Sequence, residues 1–188
     1  MKVLIIVDMQ NDFITGPLGS PEAQAIVPTM IERLKEYEDG NTLVLFTKDT
    51  HYDDYMNTQE GKNLPVPHCK YMTTGWSIDK RISSAVDMNP GFLYYSSGEI
   101  VNSRVNKTTF GSIELAELMR DHQDDIEEIV LMGVCTDICV VSNAMLLKAY
   151  CPEMLITVDA SCCAGVTPET HKAALQTMKM CQINVIGE

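Results

Sequence analysis

The stretch KVLIIVD, residues 2–8, places five consecutive apolar residues ahead of a single aspartate. This run lacks the alternation of apolar and polar residues that is typical of a strand with one face in water. Strands without that alternation are buried on both faces, as in a parallel sheet covered by helices on each side. The stretch therefore predicts the first strand of such a sheet, with Asp8 at its carboxyl end.

Four further short apolar runs predict strands of the same kind. They lie at residues 42–47, 128–132, 154–158 and 181–186, and one extra strand is expected near residues 99–105. Helical patterns lie between these runs. Repeated alternation of strands and helices predicts an α/β fold with a central, mainly parallel sheet that is covered on both faces.

Two of the predicted helices begin with a hydroxyl residue followed by proline, a combination typical of the N-cap and first helical positions. Ser20 and Pro21 begin the first helix, whose apolar face is expected to extend until Gly40. Thr167 and Pro168 begin the last. Two more helices are expected at residues 112–122 and 137–150.

Length and composition predict a single domain over residues 1–188, since 188 residues with 45% hydrophobic content suffice for one core. The net charge of −12 argues against a nucleic-acid partner or an anionic membrane surface. The first apolar run is too short for a signal peptide or a membrane span, so we expect a cytoplasmic protein without a membrane partner. Seven cysteines, an odd number, fit free thiols in a reducing compartment.

Polar residues follow several of the predicted strands. Asp8 follows the first, Asp49 and His51 follow the second, Lys107 follows the segment at 99–105, and Cys139 follows the strand at 128–132. Because ligands bind at the carboxyl ends of parallel strands, we expect these side chains to share one edge of the sheet.

The carboxylate, lysine and cysteine of this set suit nucleophilic catalysis. A thiol attacks as thiolate, and the second or third position of a helix, expected for Cys139, favours that form. Asp8 can accept the thiol proton, and Lys107 offsets the added negative charge. Cys135 precedes the helix, so it is expected to act through its backbone N–H.

A second cluster follows the strand at 42–47. Asp49 and His51 leave that strand two residues apart, while Glu60 and His68 come from the following loop. Two imidazoles with one or two carboxylates suit Zn²⁺, Mn²⁺ or Fe²⁺ and leave positions open for water or substrate. The cluster therefore predicts a divalent metal site.

Three segments closely resemble the motif regions of the isochorismatase-like cysteine hydrolases, the group that includes nicotinamidases: LIIVDMQNDF at 4–13, the lysine of NKTTF at 106–110, and GVCTDICV at 133–140. The resemblance spans residues 3 to about 186. It implies a three-layer α/β/α sandwich and a catalytic triad of Asp8, Lys107 and Cys139. It also implies a cis peptide between Val134 and Cys135 and an oxyanion hole formed by the backbone N–H groups of Cys135 and Cys139.

The resemblance also bears on the metal site and the substrate. It implies a divalent metal, with zinc as the first choice, and an open coordination position that receives the pyridine nitrogen of the substrate. Members with a third metal histidine place it near Asn57, so Glu60 is the expected replacement. Pro65 stands where these enzymes tend to carry an aromatic residue. Candidates for the aromatic wall of the substrate site are Phe13, Phe110 and Trp76.

These observations predict a metal-containing cysteine amidohydrolase that converts a small heteroaromatic carboxamide to the carboxylate and ammonia through a thioester on Cys139. Three alternatives stay open: an isochorismatase-type hydrolase of another small substrate, a thiol redox protein built on Cys135 and Cys139, and a binding module without catalysis. The resemblance further implies a homo-oligomer.

Overall fold

The computed structural model describes residues 1–37, 40–86, 92–94 and 100–188, with the backbone alone for 92–94 and 100–102. Six strands form one sheet, and every neighbouring pair is parallel. Their order across the sheet is β5-β2-β1-β6-β7-β8. The bounds are β1 Lys2–Val7, β2 Thr42–Asp49, β5 Arg104–Lys107, β6 Glu128–Val134, β7 Leu155–Ala164 and β8 Asn184–Ile186. Two short strands, β3 Phe92–Tyr94 and β4 Ile100–Asn102, form a separate antiparallel pair.

Seven α-helices connect the strands within the described ranges. They are α1 Asn11–Ile14, α2 Pro21–Leu34, α3 Gln59–Asn63, α4 Lys80–Ala85, α5 Ile113–Asp121, α6 Val141–Tyr150 and α7 Pro168–Met180. None of these helices combines the length and the apolar character that crossing a bilayer would need.

The helices form a layer on each side of the sheet. Helix α2 packs against β7 and contacts α1 and α4, whereas α6 contacts both α5 and α7. The result is a three-layer α/β/α sandwich, which confirms the predicted fold class.

Strand β1 lies at the centre of this arrangement. It pairs with β2 on one side and β6 on the other, over the whole span from Lys2 to Val7. The five residues from Val3 to Val7 have no exposed surface. A strand that is paired along both edges and covered on both faces leaves no position for a polar side chain, which explains the unbroken apolar run.

The predicted helix starts are confirmed. The Ser20 hydroxyl accepts a hydrogen bond from the Ala23 N–H at 3.0 Å, and the Thr167 hydroxyl accepts one from the Thr170 N–H at 3.2 Å. The predicted end of the first helix at Gly40 is wrong. Helix α2 ends at Leu34 and continues as one 3₁₀ turn, Lys35–Tyr37, and residues 38–39 lie outside the described ranges.

Three strand predictions need correction. Strand β7 extends to Ala164, well beyond residue 158. The predicted strand at 181–186 begins only at Asn184, because Cys181 and Gln182 close helix α7 and Gln182 adopts a left-handed φ of 65°. The segment at 99–105 divides into β4 and β5, and residue 99 lies outside the described part of the chain.

Gly133 allows β6 to approach β1 closely. It pairs with Val7 in the sheet and has a φ of 132°, a conformation that side chains rarely adopt. A Cβ atom at this position would lie 2.1 Å from the Val7 carbonyl oxygen. Glycine is therefore required at position 133, where β6 lies against the central strand β1.

Gly133→Ala is expected to prevent folding or to lower the free energy of unfolding by more than about 3 kcal/mol. The energetic cost of the strained backbone and the cost of the steric clash with Val7 add together. Gly40→Ala is the matched control, since Gly40 also has a positive φ, 72°, but open space around its Cβ position. The control should lose about 1–2 kcal/mol. Urea denaturation measures both, and equal midpoints would contradict the close contact.

Candidate active site

The carboxyl ends of β1, β2, β5 and β6 bring the predicted catalytic residues to one place. Asp8 directly follows β1 with a left-handed φ of 50°. Asp49 and Lys107 are the last residues of β2 and β5, and they pair with each other in the sheet. Cys139 lies in the turn that follows β6. The common edge predicted from the sequence is therefore where these residues meet.

Lys107 lies at the centre of the group. Its Nζ is 2.6 Å from Asp8 Oδ2 and 3.4 Å from Asp49 Oδ1. It also donates toward Cys139 Sγ at 3.5 Å. All four side chains are buried. One ammonium group thus contacts two carboxylates and the thiol.

Thr47 fixes the orientation of the Asp8 carboxylate. Its hydroxyl donates to Asp8 Oδ1 at 2.7 Å and accepts from the Asp8 N–H at 3.2 Å. Oδ1 is thereby held by the hydroxyl, while Oδ2 carries the ion pair to Lys107. The two oxygens of Asp8 have different partners.

Burial controls the protonation of this group. Burial raises the pKa of the Cys139 thiol well above its ordinary value, and the charge of Asp8 adds to this effect. Burial also raises the pKa of Asp8 despite the opposing charge of Lys107. For Lys107, burial alone would lower the pKa, but the charges of Asp8, Cys139 and Asp49 outweigh it and raise the pKa. The resting thiol is therefore neutral, and the lysine is charged.

The turn that carries Cys139 differs from the predicted one. It is a π-helical turn, Thr136–Val140, with Cys135 as the residue that precedes it, and α6 follows directly. Cys139 is therefore the fourth residue of the turn, not the second or third of an α-helix. The expected preference for thiolate from helix position is outweighed by burial and Asp8. The peptide between Val134 and Cys135 is cis.

The second cluster lies beside the first. One ligand-type atom from each of its four residues lies within 4.8 Å of all the others: Asp49, His51, Glu60 and His68. Asp49 Oδ2 is 2.8 Å from His51 Nε2 and 3.2 Å from His68 Nε2. Glu60 Oε1 is 3.5 Å from His51 Nε2 and 3.8 Å from His68 Nε2. The structure thus brings together all four residues of the predicted metal site.

The chemistry of these donors fits a divalent metal. His68 Nδ1 is 2.8 Å from the Val66 carbonyl oxygen, which can only accept, so Nδ1 donates and Nε2 keeps its lone pair in the neutral ring. His51 Nε2 is buried and has no partner in hydrogen-bond geometry among the described residues. Burial and the charge of Asp49 raise the pKa of Glu60. A cation bound between the carboxylates would relieve this repulsion.

Asp49 belongs to both clusters. Burial alone would raise its pKa, but the adjacent imidazoles of His51 and His68 and the charge of Lys107 outweigh it and lower the pKa well below its usual range. Its Oδ1 faces Lys107, and its Oδ2 faces the histidines. The candidate metal site and the candidate triad are therefore joined through one carboxylate.

A cavity of about 450 Å³ opens onto both clusters. Its wall includes Cys139 and Cys135 at one side, with Asp49, Glu60 and His68 at another. Apolar side chains supply most of the remainder, including Phe13, Leu18, Leu64, Phe110, Val134, Ile138, Ala164 and Val166. A mainly apolar cavity with a few convergent polar groups is typical of a small-molecule site.

The aromatic residues proposed for the substrate wall separate into two groups. Phe13 and Phe110 line the cavity, and the Phe13 ring packs edge-on against His68 with centroids 5.4 Å apart. Trp76 is absent from the wall and lines another cavity. Tyr55, which the sequence did not single out, packs its ring against His51 at 4.5 Å and His68 at 5.2 Å.

Two buried amides support the site and were missed in the sequence. Gln10 accepts from the Asp49 N–H at 2.7 Å and donates to the Asp49 carbonyl at 2.9 Å. Asn143 donates to the Cys139 carbonyl at 2.8 Å and to the Phe110 carbonyl at 3.2 Å. The only signal for Asn143 is its position four residues after Cys139, on the same helix face.

His171 of α7 is partly buried and contacts the turn that carries Cys139. Its Nδ1 lies 2.8 Å from the hydroxyl of Thr136, the first residue of the π-helical turn. The Asp137 carboxylate accepts from the Val166 N–H at 3.1 Å. Helix α7 and the segment that joins β7 to it therefore contact the turn that carries the thiol.

Comparison with known proteins agrees with this geometry. The chain matches the isochorismatase domain over residues 2–187. The nicotinamidase/pyrazinamidase of Mycobacterium tuberculosis is 29% identical over 195 residues, which cover 99% of this chain and 98% of the relative. The crystal structure of a nicotinamidase from Bacillus subtilis is 28% identical, with a TM-score of 0.78 and 98% of each chain covered.

The fold is also shared with the pyrazinamidase of Pyrococcus horikoshii in complex with zinc, at 22% identity and a TM-score of 0.73, with 100% of this chain and 99% of that chain covered. The domain match covers nearly every residue of the chain, and the strands, the π-helical turn and the buried polar groups described above all lie inside it. The protein therefore belongs to the isochorismatase family.

Proposed function

We propose that the protein is a metal-dependent cysteine amidohydrolase that converts a small heteroaromatic carboxamide, nicotinamide first, to the carboxylate and ammonia. The observation that carries the proposal is the contact of Lys107 with both Asp8 and Cys139 beside a cavity that also reaches the candidate metal ligands. The activities named for the relatives from Mycobacterium tuberculosis and Bacillus subtilis support the same substrate class.

The first half of the reaction forms a thioester. Asp8 accepts the proton of the Cys139 thiol as the sulfur bonds to the amide carbon. The backbone N–H groups of Cys135 and Cys139 stabilise the oxyanion. Asp8 then returns the proton to the amide nitrogen, the C–N bond breaks, and ammonia leaves. Lys107 stays charged throughout and offsets the negative charge that moves between the carboxylate and the sulfur.

The second half releases the acid. Asp8 accepts a proton from a water molecule as its oxygen bonds to the thioester carbon. The C–S bond breaks, Cys139 regains its proton, and the carboxylate product leaves. Because Thr47 holds one oxygen of Asp8, the other oxygen is kept near Lys107 and the thiol in both halves.

The metal would be held by Asp49, His51, Glu60 and His68. Two nitrogen donors and two oxygen donors suit zinc best, with manganese or iron as alternatives. When bound, the metal supplies a Lewis-acidic position for the ring nitrogen of the substrate. Phe13 and Phe110 flank the ring from the cavity wall. Contacts with Phe13 and Phe110 would orient the ring so that its carboxamide faces Cys139, which lines the same cavity.

Cys139→Ala is expected to lower the rate of ammonia release from nicotinamide by about four orders of magnitude or more, since the nucleophile is lost. Cys135→Ala is the matched control and should stay within about tenfold of wild type, because only its backbone N–H takes part. Mass spectrometry of the quenched wild-type reaction should detect an acyl group on Cys139. Binding of nicotinamide without turnover by the wild type would instead support a binding module.

Removal of metal by a chelator is expected to abolish amidase activity, and added zinc, manganese or iron should restore it. His68→Ala should lose most of its bound metal by elemental analysis, because one of two imidazole ligands is gone. His122→Ala, outside the cluster at the end of α5, should keep its metal. Full activity in demonstrably metal-free protein would contradict the assignment.

Lys107→Met is expected to lower both activity and stability, because it leaves Asp8 and Asp49 buried without their shared cation. Loss of one partner from a buried ion pair costs about 3–5 kcal/mol of unfolding free energy. Lys35→Met breaks an exposed pair with Glu32 and should cost at most about 1 kcal/mol. Urea denaturation compares the two, and equal stability would contradict the electrostatic role of Lys107.

A further inference from the structure

A single buried side chain connects the loop that carries Phe110 to the turn that carries Cys139. Asn143 lies on α6 and is only 1% exposed. Its Nδ2 donates to the Cys139 carbonyl at 2.8 Å and to the Phe110 carbonyl at 3.2 Å. Its Oδ1 accepts from the Ser112 N–H at 3.0 Å. Both polar atoms of the amide are therefore used, and burial makes the loss of any of these bonds costly.

The Asn143 amide holds the peptide group that directly follows the nucleophile. That peptide joins Cys139 to Val140, and its carbonyl is the group that accepts from Asn143. Its N–H belongs to Val140 and donates to the Cys135 carbonyl at 3.0 Å. A planar peptide that is held on both sides fixes the backbone direction at Cys139. The same residue supplies the thiol and one of the two N–H donors proposed for the oxyanion.

The Phe110 ring depends on its backbone for its position. It lines the active-site cavity although the residue is 47% exposed, so packing restrains it only in part. The next residue, Gly111, lies directly against α6, since a Cβ atom there would be 2.6 Å from a side-chain carbon of Leu146. Ser112 is then the N-cap of α5. Asn143 bonds to Phe110 and Ser112, so it holds the loop on both sides of this close contact.

We propose that Asn143 is a positioning residue that sets the place of the Phe110 ring relative to the Cys139 thiol. Asn143 is absent from the cavity wall, so it acts through the two backbones that it bonds. It has this role only if the proposed function holds, since Phe110 and Cys139 must then act on one substrate. A heteroaromatic carboxamide is rigid, and a misplacement of about 1 Å at the reacting groups costs on the order of 100-fold in rate.

Asn143→Ala is expected to lower kcat for nicotinamide by about 10- to 100-fold and to raise KM by about threefold or more. The Cys139 peptide loses one of its two partners, and the Phe110 loop loses its bond to α6. Steady-state ammonia release measures both constants. Thr157→Val is the matched control, because it removes the hydrogen bond of another buried residue, to Glu128, near the amino end of β7. It should keep wild-type kcat and KM, and an equal fall of kcat in both variants would overturn the proposal.

The link to the ring is tested in a Phe110→Ala background. There Asn143→Ala should still lower kcat by about 10- to 100-fold, because the Cys139 peptide is still released. It should no longer raise KM, because no ring remains to be misplaced. A rise of KM of the same size in both backgrounds would contradict the link between Asn143 and Phe110.

Asn143→Ser separates the two donated bonds and serves as the second variant if Asn143→Ala does not fold. A helical serine can donate to the carbonyl four residues earlier, here that of Cys139, whereas its shorter side chain does not reach Phe110. We expect kcat within about threefold of wild type and a KM as high as in Asn143→Ala. A kcat as low as in Asn143→Ala, or a wild-type KM, would count against the proposal.

The wild type distinguishes this role from the proposed function itself. Absence of ammonia release from nicotinamide by the wild type would overturn both. An active wild type together with folded Asn143 variants of unchanged kcat and KM would overturn the role of Asn143 alone.

Discussion

The buried contact between Lys107 and two carboxylates is the interaction on which the rest of the site depends. Asp8 and Asp49 are both removed from water, and two such carboxylates repel each other unless a cation separates them. Lys107 supplies that cation from a different strand, and the pairing of Lys107 with Asp49 in the β2–β5 ladder fixes its position. The parallel sheet thus sets the charge balance of the site. The neutral thiol of Cys139 then rests beside a base whose charge is already compensated.

Asp49 extends this balance to the neighbouring cluster. One of its oxygens faces Lys107, and the other faces the two histidines. A positive charge among the histidines and Glu60 therefore acts on the triad through the Asp49 side chain. Gln10 holds the Asp49 backbone from both sides. Such support positions a ligand before a metal or substrate arrives, and it explains how four residues from three separate segments have ligand atoms within 4.8 Å of one another.

Strand β2 also contributes to the active-site cavity and to a separate cavity of about 320 Å³ that Trp76 helps to line. Because successive residues face opposite sides, one short stretch supplies Thr47 and Asp49 to the active site and Phe46 and Lys48 to that separate cavity. Trp76 covers Lys48 on the far side, and Gln10 connects the Trp76 carbonyl to Asp49. Around the nucleophile, Asn143 and the contact between Thr136 and His171 hold the π-helical turn against α5, α6 and α7. The reacting groups are therefore supported by elements on both faces of the sheet.

The sequence alone determined the buried strands, the helix starts at Ser20 and Thr167, and the residue types that collect at the strand ends, because apolar runs and capping chemistry are local. It also predicted a metal site from Asp49, His51, Glu60 and His68, and the structure brings these four residues together. Only the tertiary structure decided what depends on contacts between distant segments. Such contacts pair Asp49 with Lys107 and divide the Asp49 oxygens between two clusters. They also place Trp76 outside the substrate wall and pack His171 against Thr136. The high pKa of Cys139 is a further result of the tertiary structure, since burial and the charge of Asp8 outweigh the effect of helix position. Each of these depends on at least one contact between residues that are distant in the sequence, and no local pattern encodes such a contact.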